Sequence, residues 1–398
     1  MATETVTPAA PADLSAHGAP PSGRDRLAGL DGIRGLAALF VVLHHCYLMA
    51  FPGYPATTGP AWTGWLIYGH FAVVVFIVLS GFSLAVSPAR KGWQLGGKRR
   101  FAARRAWRIL PPYWAALAFS LIVAWTLVAQ PGEGEPTAKS VAVYGLLLQD
   151  VFGSPSPNGA FWSIAVEAQL YLVLPVLLVV LRRAGATAML VAVAIPVLAI
   201  GLLAPVVPLV DKLTRFTPQF ALLFAAGVAG AGILAASEPR RRLPWHWLAG
   251  LAALPVLATI AVQGSEWTVS RFFWVDLALG PAVVLLLAAL TCGRPAPLLK
   301  ALDTTPMRSL GSFSYSLYLV HAPIVVAVHE KLVAGRFAAG TTAFAVTLAI
   351  AVPLSVVFAR LFAAVFEIPF QRHRGWAALR AAAGARLARR RQLAEAES

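Results

Sequence analysis

The sequence predicts an all-α fold, a polytopic membrane helix bundle of about ten transmembrane helices. Hydrophobic residues make up 58% of the 398 residues, and charged residues only 13%. The mean hydropathy is +0.71. Apolar runs of about 20 residues, the length that crosses a bilayer as a helix, recur through nearly the whole chain, and basic residues are grouped between them. This balance excludes a soluble globular domain.

Ten apolar runs can be read as membrane spans in chain order. They cover roughly 29–51, 62–86, 113–130, 161–181, 187–204, 218–236, 245–263, 273–292, 309–329 and 341–366. The densest basic cluster, from Lys91 to Arg108, follows the second span, and arginine pairs or triplets follow the fourth and sixth. If all ten runs cross, every strong basic cluster falls on one side, which the positive-inside rule assigns to the cytoplasm. Both termini are therefore expected to be cytoplasmic.

The apolar runs divide the chain into three parts. Residues 1–26, rich in Ala, Pro and Ser, are predicted to be a disordered cytoplasmic leader. Residues 27–370 form the predicted transmembrane domain, and residues 371–398 a basic cytoplasmic tail. Between the third and fourth spans, residues 131–160 include an apolar stretch too short to cross the membrane, which predicts a re-entrant or interfacial helix.

The net charge of +16 is concentrated in the short loops and in the tail. There it sets topology and meets anionic lipid headgroups, so the expected partner is the lipid bilayer of the cell membrane and not a nucleic acid. The two cysteines, Cys46 and Cys292, offer neither zinc-ligand spacing nor a disulfide framework, and no metal site is predicted.

The first span carries two polar side chains on one face. Arg34 and His45 stand eleven residues apart, just over three helical turns, so they point the same way and lie about 16 Å apart along the axis. Charged groups inside a bilayer are costly and usually face a cavity or a partner, which indicates a functional role. The alternative is a snorkelling arginine beside a histidine that hydrogen-bonds within the bundle.

The fourth span begins with FWSIAVEAQLY, in which Glu167 is a lone carboxylate amid apolar residues. It must be paired, protonated or exposed to water. Glu167 and His45 are both placed in the outer half of their spans, so we expect them to meet. A histidine oriented by a carboxylate is a typical general base, and this pair is the predicted catalytic site. The alternative is a structural pair that joins two helices.

The basic loop ends in RRAWRILPPYW. Arg105 and Arg108 are three residues apart and share a helical face just before the chain enters the membrane. Arginine binds phosphate bidentately, so these residues and Arg34 are candidates for holding a phosphorylated cytoplasmic donor. The alternative is that they only set topology.

Further polar groups lie at membrane depth. Ser80 ends the second span, where the alternative is close packing of small residues. Tyr318 and His321 are three residues apart in the ninth span and share a face, whereas His70 is interpreted as structural. The candidate residues of a substrate pocket are Ser80, Trp162, Ser163, Gln169, Tyr171, Tyr318 and His321.

Several motifs together resemble the acyltransferase-3 family of integral membrane O-acyltransferases. They are LDGIRGLAALFVVLHH near the start, FIVLSGF, RRAWRILPPYW, FWSIAVEAQLYLVLP, SYSLYLVHAP and FEIPF, in family order over nearly the whole chain. The family's arginine-x10-histidine pattern falls on Arg34 and His45, and the first carboxylate of its Glu-Glu-Gln motif falls on Glu167.

The resemblance implies acyl-CoA as a co-substrate, with no bound cofactor, and a hydroxyl group, usually on a sugar, as acceptor. Many members append an extracellular esterase-like domain. This sequence ends too soon for one, so a stand-alone member that transfers directly to a small or polymeric acceptor is expected.

We therefore predict a membrane O-acyltransferase that moves an acyl group, first of all acetyl, from acyl-CoA to a sugar-containing acceptor such as a cell-surface polysaccharide, a lipid-linked sugar or a secondary metabolite. The alternative is a transporter or flippase for an anionic solute, which would also need intramembrane Arg, His and Glu. The sequence shows no internal repeat of the kind that many transporters have.

Overall fold

The computed structural model describes residues 27–373, 375–381, 384–385 and 392. Within these residues the regular elements are all helices. The predicted all-α membrane bundle is thus confirmed. The predicted leader, residues 1–26, lies outside the described residues, and the predicted tail is described only in part.

The helices follow one another with short connections. They are α1 Leu30–Ala50, α2 His70–Ala89, α3 Lys98–Thr126, α4 Ala138–Gly145, α5 Trp162–Leu203, α6 Pro208–Asp211, α7 Gln219–Gly230, α8 Glu238–Arg241, α9 Trp245–Ser270, α10 Phe272–Thr291, α11 Ala296–Leu302, α12 Thr305–Ser312, α13 Ser314–Val328, α14 Thr341–Phe362 and α15 Ile368–Arg372.

Eight helices of the described chain are long and apolar enough to cross a membrane. The segments Pro208–Phe216 and Gln219–Ala235, bent by 48°, make a ninth candidate. Helix α5 has 42 residues, about 63 Å or twice the hydrocarbon thickness, and its backbone is non-helical at Gly185, where φ is 88°. Only glycine adopts this angle readily, so α5 turns beside Arg182 and Arg183 into two arms. Counting each arm as a span brings the number to the ten that the sequence predicts.

Three predicted boundaries differ from the structure. The second span starts at His70 and not at 62, after a 3₁₀ turn over Ala61–Tyr68. The third starts at Lys98, because the helix continues through Pro111 and Pro112 and packs Phe101 and Ile109 against the bundle. The ninth is broken at Phe313 between α12 and α13.

Glycines allow helix backbones to meet at the centre of the bundle. A methyl group on Gly81 of α2 would lie 2.2 Å from the carbonyl oxygen of Phe224 in α7, and one on Gly227 would lie 2.1 Å from that of Val78. On α1, a methyl group on Gly35 would lie 2.8 Å from the backbone nitrogen of Gly311. This is the close small-residue packing expected for membrane helices. It sets the distances across which polar side chains meet.

The segment between α3 and α5 enters the bundle. Helix α4 forms within the predicted apolar stretch, but the loop after it reaches deeper. The fully buried Asn158 donates from Nδ2 to the carbonyl oxygen of Leu319 in α13 at 2.8 Å, and to Ser120 Oγ in α3 at 3.1 Å. Helix α5 therefore begins inside the bundle and not at its end. We call the end that carries residues 98–108 the basic end and the opposite one the far end.

Candidate active site

A cavity of about 540 Å³ lies between α1, α2, α3, α5 and α13, and we call it the central cavity. The predicted site residues that line it are Arg34, Ser80, Arg105, Arg108, Ser163, Glu167, Tyr171 and Tyr318. The predicted residues outside its lining are His45, Trp162, Gln169 and His321. Tertiary packing thus brings most of the predicted site residues, which come from five helices, to the central cavity.

Glu167 is held by two hydroxyl groups. Ser80 Oγ donates to its Oε1 at 2.9 Å, and the hydroxyl of Tyr171, one turn later on α5, donates to the same oxygen. Ser80 and Tyr171 also contact each other at 3.1 Å between their oxygens. These bonds join α2 to α5 and leave the carboxylate on the wall of the central cavity.

Guanidinium groups line the basic end of the central cavity. Arg34 donates from Nη2 to Ser83 Oγ at 2.6 Å and forms an ion pair with Asp31 at 3.1 Å. Arg105 differs, because its Nε is buried and has no hydrogen-bond partner among the described residues. A buried N–H without a partner is costly, so Arg105 is poised to donate to a ligand.

A second cavity, of about 650 Å³, adjoins the basic end, and we call it the cationic cavity. Its basic residues are Lys91, Arg100, Arg104, Arg105 and Arg108. Arg105, Arg108 and Gln371 line both cavities, so the two spaces share a wall. A large anion bound in the cationic cavity would contact the same guanidinium groups that face the central cavity.

A pair of hydroxyls lines the far end of the central cavity. Ser163 Oγ lies 2.6 Å from the hydroxyl oxygen of Tyr318, and the ring of Phe76 packs edge-on against Tyr318 at 5.6 Å. One turn further along α13, His321 is fully buried and its Nε2 lies 3.2 Å from His45 Nδ1. A polar route therefore continues from the central cavity through α13 to the first-span histidine.

The predicted hydrogen bond between His45 and Glu167 is wrong. The described partners of His45 are the carbonyl oxygen of Val41 at 2.9 Å and His321. His44 packs on Gly69 at the start of α2, where a methyl group would lie 2.2 Å from the His44 Cγ. Glu167 instead bonds Ser80, which lies in α2 eleven residues, or about 16 Å, beyond Gly69. The prediction failed because it assumed that α5 starts at the membrane surface.

Two predicted pocket residues support the fold around the site. Gln169 donates to Asp150 Oδ2 at 2.8 Å and so holds the loop that enters the bundle. Burial raises the pKa of the Asp150 carboxyl, and the hydrogen bond from Gln169 and the Arg215 cation lower it in part. Trp162 stacks on His70, with ring centroids 5.8 Å apart.

Two buried carboxylates are absent from the predicted site residues. Asp276 is fully buried and binds His70 Nε2 at 2.9 Å, with Gln219 3.3 Å away. The structural interpretation of His70 agrees with this pair. Glu367, 2% exposed, lines the central cavity and accepts hydrogen bonds from the backbone and hydroxyl of Ser316 at 3.1 and 2.5 Å. Both stand in the sequence as lone acids within apolar runs, the same signal that singles out Glu167.

The described part of the chain contains no set of metal ligands. No group of three or more His, Cys, Asp or Glu side chains there is arranged to hold an ion. The side chains that line the central cavity supply carboxylate, hydroxyl and guanidinium groups.

Comparisons with known proteins agree on one family. A family model described as an acyltransferase domain, acyltransferase-3, matches residues 27–360. Peptidoglycan O-acetyltransferase OatA of Listeria monocytogenes is 26% identical over 332 residues, which are 76% of this chain and 50% of that protein. Putative peptidoglycan O-acetyltransferase YrhL of Bacillus subtilis is 26% identical over 75% of this chain and 49% of its own. O-acetyltransferase OatA of Staphylococcus aureus is 24% identical over 78% and 52%.

The chain spans about half the length of the curated relatives it matches. No solved structure matches it. The family match covers α1 to most of α14 and includes the helices that line the central cavity, apart from the C-terminal segment that carries Glu367. The chain therefore belongs to the acyltransferase-3 family.

Proposed function

We propose that the protein transfers an acyl group, acetyl first of all, from acyl-CoA to a hydroxyl of a carbohydrate acceptor at the membrane. The observation that carries the proposal is the wall of Arg105 and Arg108, shared by a cationic cavity and a cavity inside the bundle. Such a pair of spaces suits a donor with a polyanionic head and a long, mostly uncharged arm. The peptidoglycan O-acetyltransferase relatives support an acetyl group and a carbohydrate acceptor.

The donor enters from the basic end in this proposal. Its nucleotide phosphates occupy the cationic cavity, where Arg105 has a buried Nε without a partner among the described residues. Its pantetheine arm extends along the central cavity toward Tyr318. By the positive-inside rule the basic end is cytoplasmic, as are both termini, so the acyl-CoA of the cytoplasm can reach it. Reporter fusions after Arg242 and after Gly264 test this orientation and should read opposite sides.

His45 is the general base of the proposed reaction. It takes the proton from the acceptor hydroxyl while that oxygen attacks the thioester carbonyl carbon. The carbon–sulfur bond then breaks, and the proton passes from the imidazolium to the departing thiolate, so that CoA leaves as a thiol. Glu167 does not orient His45 in this scheme. It remains a predicted catalytic residue that presents a charge, fixed by Ser80 and Tyr171, to the central cavity.

The experiment that tests the proposal follows the thioester bond. The full chain, purified and reconstituted in lipid nanodiscs, is given acetyl-CoA and a soluble peptidoglycan oligosaccharide. Free thiol is measured with a chromogenic disulfide, and O-acetylated sugar by mass spectrometry. We expect both products in equal amounts. In liposomes, uptake of intact donor without thiol release would instead support an anion transporter and contradict the proposal.

A further inference from the structure

We propose that His321 is a positioning residue that fixes the ring and the tautomer of His45. In this arrangement His321 Nε2 accepts a hydrogen bond from His45 Nδ1–H, which leaves His45 Nε2 without a proton and free to act. The inference rests on the proposed function, because it explains how the proposed base is prepared. Sequence reasoning gave that role to Glu167.

The tautomer of His321 follows from its partners. Its Nδ1 lies 2.8 Å from the carbonyl oxygen of Tyr318 and 3.2 Å from that of Leu317. A carbonyl oxygen only accepts hydrogen bonds, so Nδ1 must carry the proton. In a neutral imidazole the other nitrogen is then an acceptor. His321 Nε2 therefore presents a lone pair.

The tautomer of His45 follows in the same way. Its Nδ1 lies 2.9 Å from the carbonyl oxygen of Val41, which again requires a proton on Nδ1. The same N–H faces His321 Nε2 at 3.2 Å, so one donor is shared by two acceptors. The neutral ring of His45 then carries its lone pair on Nε2. That atom is the one that can abstract a proton.

The burial of His321 supports its role as the hydrogen-bond acceptor of His45. Its side chain is fully buried, so water cannot take its place as an acceptor. When His45 becomes an imidazolium, the lone pair of His321 stabilises the positive charge on Nδ1–H, as a carboxylate would in other general-base sites. The two rings meet edge-on, with their centroids 4.8 Å apart.

The neighbouring histidine is held separately. His44 is oriented by the carbonyl oxygen of Leu66, 2.8 Å from its Nδ1, and its ring meets that of His45 edge-on at 5.2 Å. His44 and His321 are thus held by different carbonyl oxygens. Only His321 leads back to the central cavity, because Tyr318 supplies its acceptor carbonyl and also bonds Ser163 through its hydroxyl.

The experiment compares two substitutions of His321. His321→Gln places an amide oxygen near the former Nε2, whereas His321→Leu has a similar volume and no acceptor. We expect His321→Leu to lower kcat for acetyl transfer about 10- to 100-fold, because a hydrogen bond to a developing charge is lost. His321→Gln should keep most of kcat. The KM for acetyl-CoA should be unaltered in both, since His321 lines neither cavity.

A matched control comes from another buried histidine. His329, 7% exposed, bonds Thr347 Oγ1 at 3.0 Å and lies outside both cavities. His329→Leu should leave kcat at the wild-type value, which separates loss of the acceptor from the general cost of burying leucine there. If His321→Leu does not fold, His321→Asn replaces it, because asparagine keeps a donor toward Tyr318 but its shorter side chain falls short of His45.

The outcomes separate this inference from the proposed function. If the wild-type protein shows no transfer, the proposed function itself fails; if His45→Ala retains transfer, the assignment of His45 as the base fails and the positioning role fails with it. If His45→Ala abolishes transfer but His321→Leu has wild-type kcat, only the positioning role is overturned. Equal losses in His321→Gln and His321→Leu, or in His321→Gln and His321→Asn where the leucine variant does not fold, would also overturn it, because packing alone would then explain the effect.

Discussion

Two lone carboxylates lie deep in this bundle, and their surroundings differ. Asp276 is fully buried, bonds His70 at 2.9 Å, and belongs to a stack of aromatic rings with Phe272 centred 4.0 Å from His70. Glu167 has no histidine partner among the described residues; it bonds Ser80 and Tyr171 and faces a cavity. The carboxylate–histidine pair that typifies a general base is present, but neither His70 nor Asp276 lines the central or the cationic cavity.

This difference shows why pairing alone does not locate chemistry in a membrane protein. A buried acid needs a partner wherever it stands, so a His–Asp pair is the expected way to place polar atoms between helices. A reacting site needs space for substrate as well. The central cavity supplies space beside Glu167, and His45, the proposed base beyond its far end, contacts another histidine, His321.

The largest expected effect is on the proposed base. His45→Ala should lower acetyl transfer about 10²- to 10⁴-fold, because an alcohol is a weak nucleophile without a positioned base. The rate of product formation with purified protein measures this. His44→Ala is the control and should keep most activity, because among the described residues His44 hydrogen-bonds the carbonyl oxygen of Leu66 and its ring packs edge-on against that of His45. If His44 proved essential and His45 dispensable, the assignment of the base would be rejected.

Asp276→Ala should act on stability and not on chemistry. Removing one partner of a buried polar pair leaves His70 unsatisfied and costs about 3–5 kcal/mol of unfolding free energy. We expect a clear loss of thermal stability in detergent, with kcat per folded molecule unaltered. A variant of normal stability with lost transfer would move the catalytic site to His70 and Asp276, and the contrast between the two carboxylates would be wrong.

Arg105→Lys should raise the KM for acetyl-CoA about tenfold, because lysine cannot replace the bidentate fork or the buried Nε–H. Michaelis–Menten kinetics with acetyl-CoA varied measure this, and kcat should change little. Arg183→Lys is the matched control, since Arg183 lies beside the break in α5 and lines neither cavity. An unaltered KM in Arg105→Lys would return this arginine to a role in topology.

Glu167→Gln should have the smallest effect of the four. The amide oxygen can still accept from Ser80 and Tyr171, so we expect wild-type thermal stability and a loss of kcat of about 3- to 10-fold from the missing charge. Glu167→Gln and Asp276→Ala are prepared in the same way, and their thermal stability and kcat are compared. A loss as large as that of His45→Ala would show that Glu167 takes part directly in the chemistry.

Much of the fold could be predicted because a membrane helix can be recognised from its local sequence. About 20 apolar residues must form a helix in lipid, since each backbone N–H and C=O needs a partner within the segment. The break at Gly185 also has a local signal, because arginines and a glycine separate two apolar runs. Arg34, Arg105 and Arg108 were grouped correctly because basic residues at the ends of spans on one side converge without detailed packing.

The sequence by itself therefore determined the helices, the basic end and the arginines that line it. Only the tertiary structure decided which polar side chains meet in the interior. The depth of a side chain in the bundle depends on where its helix starts. Hydrogen bonds from Asn158 to Ser120 and Leu319 hold the start of α5 inside the bundle. Because of this position, Glu167 bonds Ser80 and not His45, and the side-chain partner of His45 is His321. Such contacts depend on backbone positions set by distant glycines and loops, which a periodicity of about 3.6 residues does not encode.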